Sequence, residues 1–100
     1  MTKYIVYTKE KGKIETDNWW DFIDLTWHRE DGPALQEFYS GQLAIVKYYI
    51  NGKRHRLDGP AYKDFFYDGK PSSETYYIND VWYTKSDYEA EIFKMNLSLL

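Results

Sequence analysis

No cysteine occurs in this 100-residue chain, so neither a disulfide framework nor thiolate chemistry enters the reading, and a reducing compartment fits. Long apolar runs are missing too: nothing approaches the roughly 18 residues of a membrane-spanning helix. The opening "MTKYIVYTKEKGK" turns polar too soon for a secretory signal. A soluble, cytoplasmic protein without a membrane partner is expected. No glycine-rich phosphate loop and no nucleophile elbow appear, which argues against an enzyme and against a bound cofactor. Nor is there an excess of positive charge. Thirteen basic residues face 16 acidic ones, for a net charge of −3, so direct nucleic-acid binding is not expected.

What the chain has in abundance is aromatic side chains: eleven Tyr, five Phe and four Trp. Such rings suit sheet surfaces and interfaces, where one edge is buried and the other wet. It also has a repeat. "HREDGPA" at 28–34 returns as "HRLDGPA" at 55–61, with six of seven letters identical. "FYSG" at 38–41 matches "FYDG" at 66–69, and "YYING" at 48–52 matches "YYIND" at 76–80. The offset steps from 27 to 28, so one residue is inserted between Ala61 and Tyr67. Fixed-period similarity of this kind governs the fold class.

Asn-Gly and Asp-Gly between aromatic words are hairpin signals, and Asp-Gly-Pro marks a corner. Pro33 and Pro60 have no amide hydrogen for a ladder and belong at strand starts or edges. The predicted fold is therefore mainly β with one C-terminal α-helix: an antiparallel meander of about three β-hairpin repeats of 27–28 residues, capped by the helix. It forms one domain, 1–100, with the helix over 86–98. Ser86 and Glu89 make a capping-box pattern, and Tyr88, Ile92, Met95 and Leu99 form one apolar stripe. "TDNWWDFIDLTW" has aromatics on both parities. Repeat register favours a strand near 22–27, although Trp19, Phe22 and Ile23 also share a helical face. "LAIVKYYI" reads as a strand with apolar groups on both parities, buried on both sides or offering one side to a partner.

The pattern "HRxDGPA…YYxNGxxHRxDGPA" resembles a short β-hairpin repeat of bacteriophage and giant-virus proteins, similar in style to MORN-type repeats. The resemblance covers about residues 22–85, and "NDVWYTKSDYEAE" resembles the way such arrays end before a helix. It implies a β-repeat fold and a phage origin, and no established activity.

Taken as chemistry, His28, Asp31, His55 and Asp58 are the right groups for a metal or acid–base site. Against that, His-x-x-Asp is a weak spacing, and a repeat produces two equal half-sites instead of one differentiated site. The structural alternative has Asp close the Gly-Pro corner through backbone amides. Arg29 and Arg56 then pair with Asp31 and Asp58 or with a neighbouring repeat's carboxylate, and the histidine stacks or donates to a carbonyl. The structural alternative is preferred, and neither a metal site nor a catalytic residue is assigned. Asp21/Asp24 and Glu30/Asp31 are acidic pairs of the solvated kind.

Two functional readings remain. The first is a phage-type interaction protein that inhibits a host protein, such as a nuclease or effector of an anti-phage defence system, by steric occlusion. Tyr48, Tyr49, Tyr76 and Tyr77 would dock, with Asp21, Asp24 and Glu30 facing a basic nucleic-acid groove on the target. A homodimer, or the helix together with the Trp19–Trp27 segment, is the competing use of the same face. The second is a module that sequesters an anionic nucleotide with Lys53, Arg54, His55 and Arg56. A scaffold role in a virion is a third, weaker reading.

Overall fold

The structure, a computed structural model, describes residues 1–98. The elements are β1 (Thr2–Thr8), β2 (Gly12–Thr16), a single 3-10 turn (Trp19–Asp21), β3 (Leu35–Tyr39), β4 (Gln42–Lys47), β5 (Tyr49–Ile50), β6 (Lys53–Arg54), β7 (Tyr62–Phe65), β8 (Pro71–Ile78), β9 (Val81–Tyr83) and α1 (Lys85–Ser98). Seven strands form one antiparallel sheet in the order β2-β1-β3-β4-β7-β8-β9, and β5–β6 is a separate short hairpin. The expected class is correct: mainly β, with one C-terminal helix. The molecule is flat, 45 × 34 × 18 Å, a single sheet with partial cover.

The repeat can be followed through the sheet. Each unit runs from a heptapeptide into a long hairpin and then a short one. In the first unit the short hairpin is β5–β6, and in the second the end of β8 continues into β9. The tight turns carry positive φ at both central residues: Ser40 and Gly41 at 49° and 82°, Asn51 and Gly52 at 52° and 78°, Asn79 and Asp80 at 49° and 68°. These are the mirror-image turns whose twist suits a two-residue hairpin. The β7–β8 register slips between Asp64 and Phe65, inside the interval where the repeat offset changes.

The core is small. Ile14, Val6 and Leu35 stand in register on three neighbouring strands and so share one sheet face. Phe22, Leu25 and Trp27 cover that row. Covering it is the work of a segment expected as a strand. Residues 18–27 instead form the 3-10 turn and a loop, and Trp27 keeps only an isolated bridge to Thr8. Phe22 is the reason: it drops into the core at 3% exposure, with its ring 5.2 Å from Tyr4 and 5.7 Å from Trp27. A ladder cannot deliver one ring onto a face it does not belong to, whereas a turn can. Trp27 Nε1–H closes the loop by donating to Phe22 O at 3.0 Å.

"LAIVKYYI" is likewise not one strand. β4 ends at Lys47, and Tyr48 belongs to no strand. Tyr49 and Ile50 leave the sheet for the short hairpin. Tyr48 N–H donates to Ala61 O and Tyr48 O accepts from His55 N–H, so its backbone is spent on the second heptapeptide. A bulge at Ala44, where the register jumps from Glu37↔Ile45 to Phe38↔Leu43, explains apolar groups on both parities.

The helix begins one residue earlier than expected, at Lys85, and its cap is Thr84 in place of Ser86. Thr84 Oγ1 accepts the Asp87 N–H at 3.1 Å, with Asp87 acidic in the first turn. Tyr88 is buried, Ile92 and Met95 are half-buried, and Leu99 lies outside the described residues. The helix lies against β8 and β9, on the last repeat. Thr84→Ala should cost about 1 kcal/mol and raise hydrogen exchange in the first turn of α1 ahead of the sheet. Ser86→Ala should leave both unchanged.

Candidate functional site

The two heptapeptides build one object twice. Arg29 Nε–H donates to Asp31 Oδ1 at 3.0 Å, Nη1–H donates to Pro33 O at 3.3 Å, and the guanidinium lies 4.0 Å from the Tyr7 ring centroid. Arg56 does the same with Asp58 at 2.9 Å, Pro60 at 3.1 Å and the Tyr48 ring at 4.0 Å. Glycine completes the seat, because a Cβ at Gly32 or Gly59 would stand 2.9 Å from the guanidinium carbon. The aspartate therefore holds arginine, one of the pairings expected, in place of the backbone amides also expected of it.

Histidine also differs from expectation. His28 Nδ1 accepts the Asn51 N–H at 2.9 Å, and His55 Nδ1 accepts the Asn79 N–H at 3.0 Å. Each imidazole is thus an acceptor at Nδ1, with its proton on Nε2. The two-residue turn leaves the first amide outside its own ladder, and histidine takes it. Backbone bonds from Arg29 N–H to Tyr49 O and from Arg56 N–H to Tyr77 O run beside these. Every heptapeptide therefore grips the tyrosine strand before it and the Asn turn after it. Tyr88 adds the helix to the second: its hydroxyl donates to Arg56 O at 2.6 Å and accepts from Gly59 N–H at 3.1 Å.

The four tyrosines expected as a docking surface are half-buried, and each has an internal partner. Tyr48 lies under Arg56, Tyr49 against Trp27 at 4.9 Å, Tyr76 against Tyr88 at 4.7 Å, and Tyr77 under Arg54 at 4.4 Å. The basic cluster is distributed as well. Arg54 N–H and Nε–H both donate to Asp80 Oδ1, at 2.8 and 3.0 Å, while Lys53 is exposed. Glu30 is exposed beside His28, with Oε1 3.8 Å from Nε2.

Asp21 and Asp24 fall in better company. They flank Trp19, Trp20 and Ile23, which are 44%, 60% and 55% exposed, and Asp17 and Asp24 are exposed with them. Trp19 and Trp20 pack against each other at 4.5 Å. This knob is anchored from below by Phe22 and from one side by Thr16, whose hydroxyl donates to Asp21 and accepts from Asn18 N–H. On the other side the Glu10 carboxylate accepts Thr26 N–H at 2.8 Å and Thr26 Oγ1–H at 2.7 Å. Other large apolar side chains left exposed include Phe66 and Tyr67 in the β7–β8 turn, Trp82 on β9, and Phe93 and Leu97 on α1. Sequence reasoning passed over them. The pair Phe93/Leu97 was visible as a second i, i+4 stripe on the helix.

The clamp makes two tests. In a double-mutant cycle, Gly32→Ala alone should destabilise by about 1–3 kcal/mol because it unseats Arg29. In an Arg29→Ala background it should cost far less, since the methyl then meets no guanidinium. The second test is pH. Asp80 is held below the usual carboxylate value, first by the Arg54 N–H and then by the Arg54 side chain. Asp64 is held low chiefly by the Ser73 hydroxyl, and Glu10 by the Thr26 hydroxyl. A folded-state pKa below the unfolded one gives stability that is complete above the unfolded value, about 4. It is lost as pH falls through the folded values. Chemical denaturation midpoints should therefore drop below pH 4, and Asp80→Asn should flatten that dependence.

No protein-family model, curated protein or solved structure matches this chain.

Proposed function

We propose that this chain is a phage-type protein-binding protein that inhibits a host protein by occlusion, using the knob at residues 17–24. The observation that carries the reading is the rigid exposure of Trp19, Trp20 and Ile23 among the carboxylates of Asp17, Asp21 and Asp24. A tryptophan pair is a costly thing to leave in water, and tryptophan is the residue type most enriched at binding hot spots. Here it stands on a segment anchored by a buried Phe22, so little side-chain or loop entropy is lost on docking. The acidic rim selects a partner with basic surface, such as the nucleic-acid groove of a defence nuclease or effector. The tyrosines of the repeats serve this reading as framework, because each is half-buried and packs on a partner within the chain.

The test uses the full chain, tagged, in lysate of a bacterial host. A captured protein should bind at one-to-one stoichiometry. Its own nucleic-acid binding should fall when the wild-type chain is added. Trp20→Ala should weaken the complex by about 2 kcal/mol or more, roughly thirtyfold, and Asp21→Lys/Asp24→Lys should slow association most at low salt. Capture that survives both changes, or a chain that only pairs with itself through these tryptophans, overturns the proposal.

A further inference from the structure

We infer that the second repeat unit holds a binding pocket for a mononucleotide, with its phosphate on Lys47 and Arg54 and its base among Tyr49, Tyr62 and Tyr77. The pocket is a half-open cleft of 290 Å³ between the β5–β6 hairpin and the sheet. Lys47, Tyr62 and Thr75 stand in register on β4, β7 and β8 and form its floor. Tyr77, two residues along β8, shares that face. Tyr49 and Arg54, paired across the short hairpin, form the wall.

Comparison of the two units shows why the space is there. Arg29 lies over Tyr7 as Arg56 lies over Tyr48, so Val6 and Lys47, the residues just before these tyrosines, are counterparts. Leu35 and Tyr62, each directly after a heptapeptide's alanine, are counterparts as well. Trp27 and Arg54, each directly before a heptapeptide, pack on Tyr49 and Tyr77 in turn. In the first unit the row beneath is Val6 and Leu35, and Phe22 and Leu25 fill the space above it. In the second unit the row is Lys47 and Tyr62, and the space is a cavity lined by two cations, three phenol rings and a threonine. The same frame encloses a packed core once and a polar cleft once.

Charge identifies the ligand. Arg29, Arg54, Arg56, Lys13, Lys63 and Lys94 each have a carboxylate within 4.0 Å. The other lysines are exposed, except Lys47. Among the described residues, Lys47 is thus the one cation withdrawn from solvent without a paired carboxylate. The rings of Trp27 and Tyr62 lie near its ammonium, with centroids at 5.9 and 5.8 Å. A half-buried cation without a counter-charge is a seat for an anion. Arg54 binds Asp80 through its backbone N–H and Nε, and neither Nη takes part. The free donors can take a second oxygen of the same phosphate. Three tyrosines with no carboxylate in the lining favour a flat ring beside it. The size of the cleft suits one nucleotide, and the net charge of −3 disfavours a strand.

The experiment titrates the full chain with AMP, UMP, inorganic phosphate and a single-stranded DNA octamer. Heat of binding and amide chemical shifts are followed together. AMP or UMP should bind saturably and more tightly than inorganic phosphate, with the largest shifts at Lys47, Tyr62, Thr75 and Tyr77. Lys47→Met keeps the packed stem, and its counterpart Val6 is apolar, so the variant should fold. It should weaken nucleotide binding by about ten- to a hundredfold, while Lys47→Arg recovers part of the loss and Lys70→Met, a turn lysine outside the cleft, changes nothing. Mononucleotides that bind no better than phosphate overturn the inference, as does undiminished binding by Lys47→Met. Preferential binding of the octamer overturns it too, in favour of a nucleic-acid end. Shifts confined to residues outside the cleft in the wild-type chain overturn it without reference to any variant.

Discussion

A guanidinium seated on a glycine is the contact on which the repeat rests. Arg29 and Arg56 each join a carboxylate two residues on, a carbonyl four residues on and the ring of a tyrosine earlier in the chain. The neighbouring histidine ties the same word to the turn that follows. In a molecule only 18 Å through its thinnest dimension there is little room for an apolar core to do this. Among the described residues only eight hydrophobic side chains are buried, and three of those, Val6, Phe22 and Leu35, belong to one cluster at the N-terminal end. Beyond that cluster the units are held together by stacking, charge-assisted hydrogen bonds and the ladder. The interactions are partly exposed and individually modest, and duplication is what makes them sufficient.

The helix is docked through the same clamp. Tyr88 fills the corner of the second heptapeptide, bonding Arg56 O and Gly59 N–H while its ring packs on Tyr76. Burial raises its pKa, with the Gly59 N–H opposing that shift, so the phenol stays neutral and can donate. α1 thus stands where a third heptapeptide would fall, with Tyr88 packed on Tyr76, the counterpart of the Tyr48 that lies under Arg56. The array ends by substitution of one buried tyrosine for a further unit.

Much of this frame was legible in the sequence because it depends on residue type at short range. Asn51-Gly52 and Ser40-Gly41 require positive φ, and the chain supplies residues that tolerate it. Asn79-Asp80 keeps the turn without a glycine, and the Asp80 carboxylate, bonded to Arg54, offsets the strain. What could not be read was set at long range. Residues 18–27 carry strand-like aromatics, yet their conformation follows from one ring, Phe22, reaching a core built by β1 and β3. The role of His28 Nδ1 as acceptor likewise depends on Asn51, 23 residues away, and the break after Lys47 on His55 and Ala61 of the second heptapeptide. For the candidate site, Asp21 and Asp24 were named for their charge, and the structure sets them beside exposed rings. Trp19 and Trp20 were passed over, since a tryptophan in a strand-like run reads as buried.

Duplication also separates what must be kept from what is free to change. The clamp residues agree between the units because each contacts the others of its own word. The residues over the sheet face do not agree: Val6 and Leu35 under Phe22 in one unit, Lys47 and Tyr62 under open space in the next. A change from valine to lysine at a packed position would leave a buried charge unless the space around it opened at the same time. Here it has opened, and Lys47 stands in a cleft in place of a core. The knob follows the same logic from the other side. Once Phe22 is spent on the first unit's core, the turn that delivers it must expose its neighbours, and those neighbours are Trp19, Trp20 and Ile23. Both candidate sites are therefore consequences of how one small core was filled, packed with a borrowed ring at one end of the sheet and left open at the other.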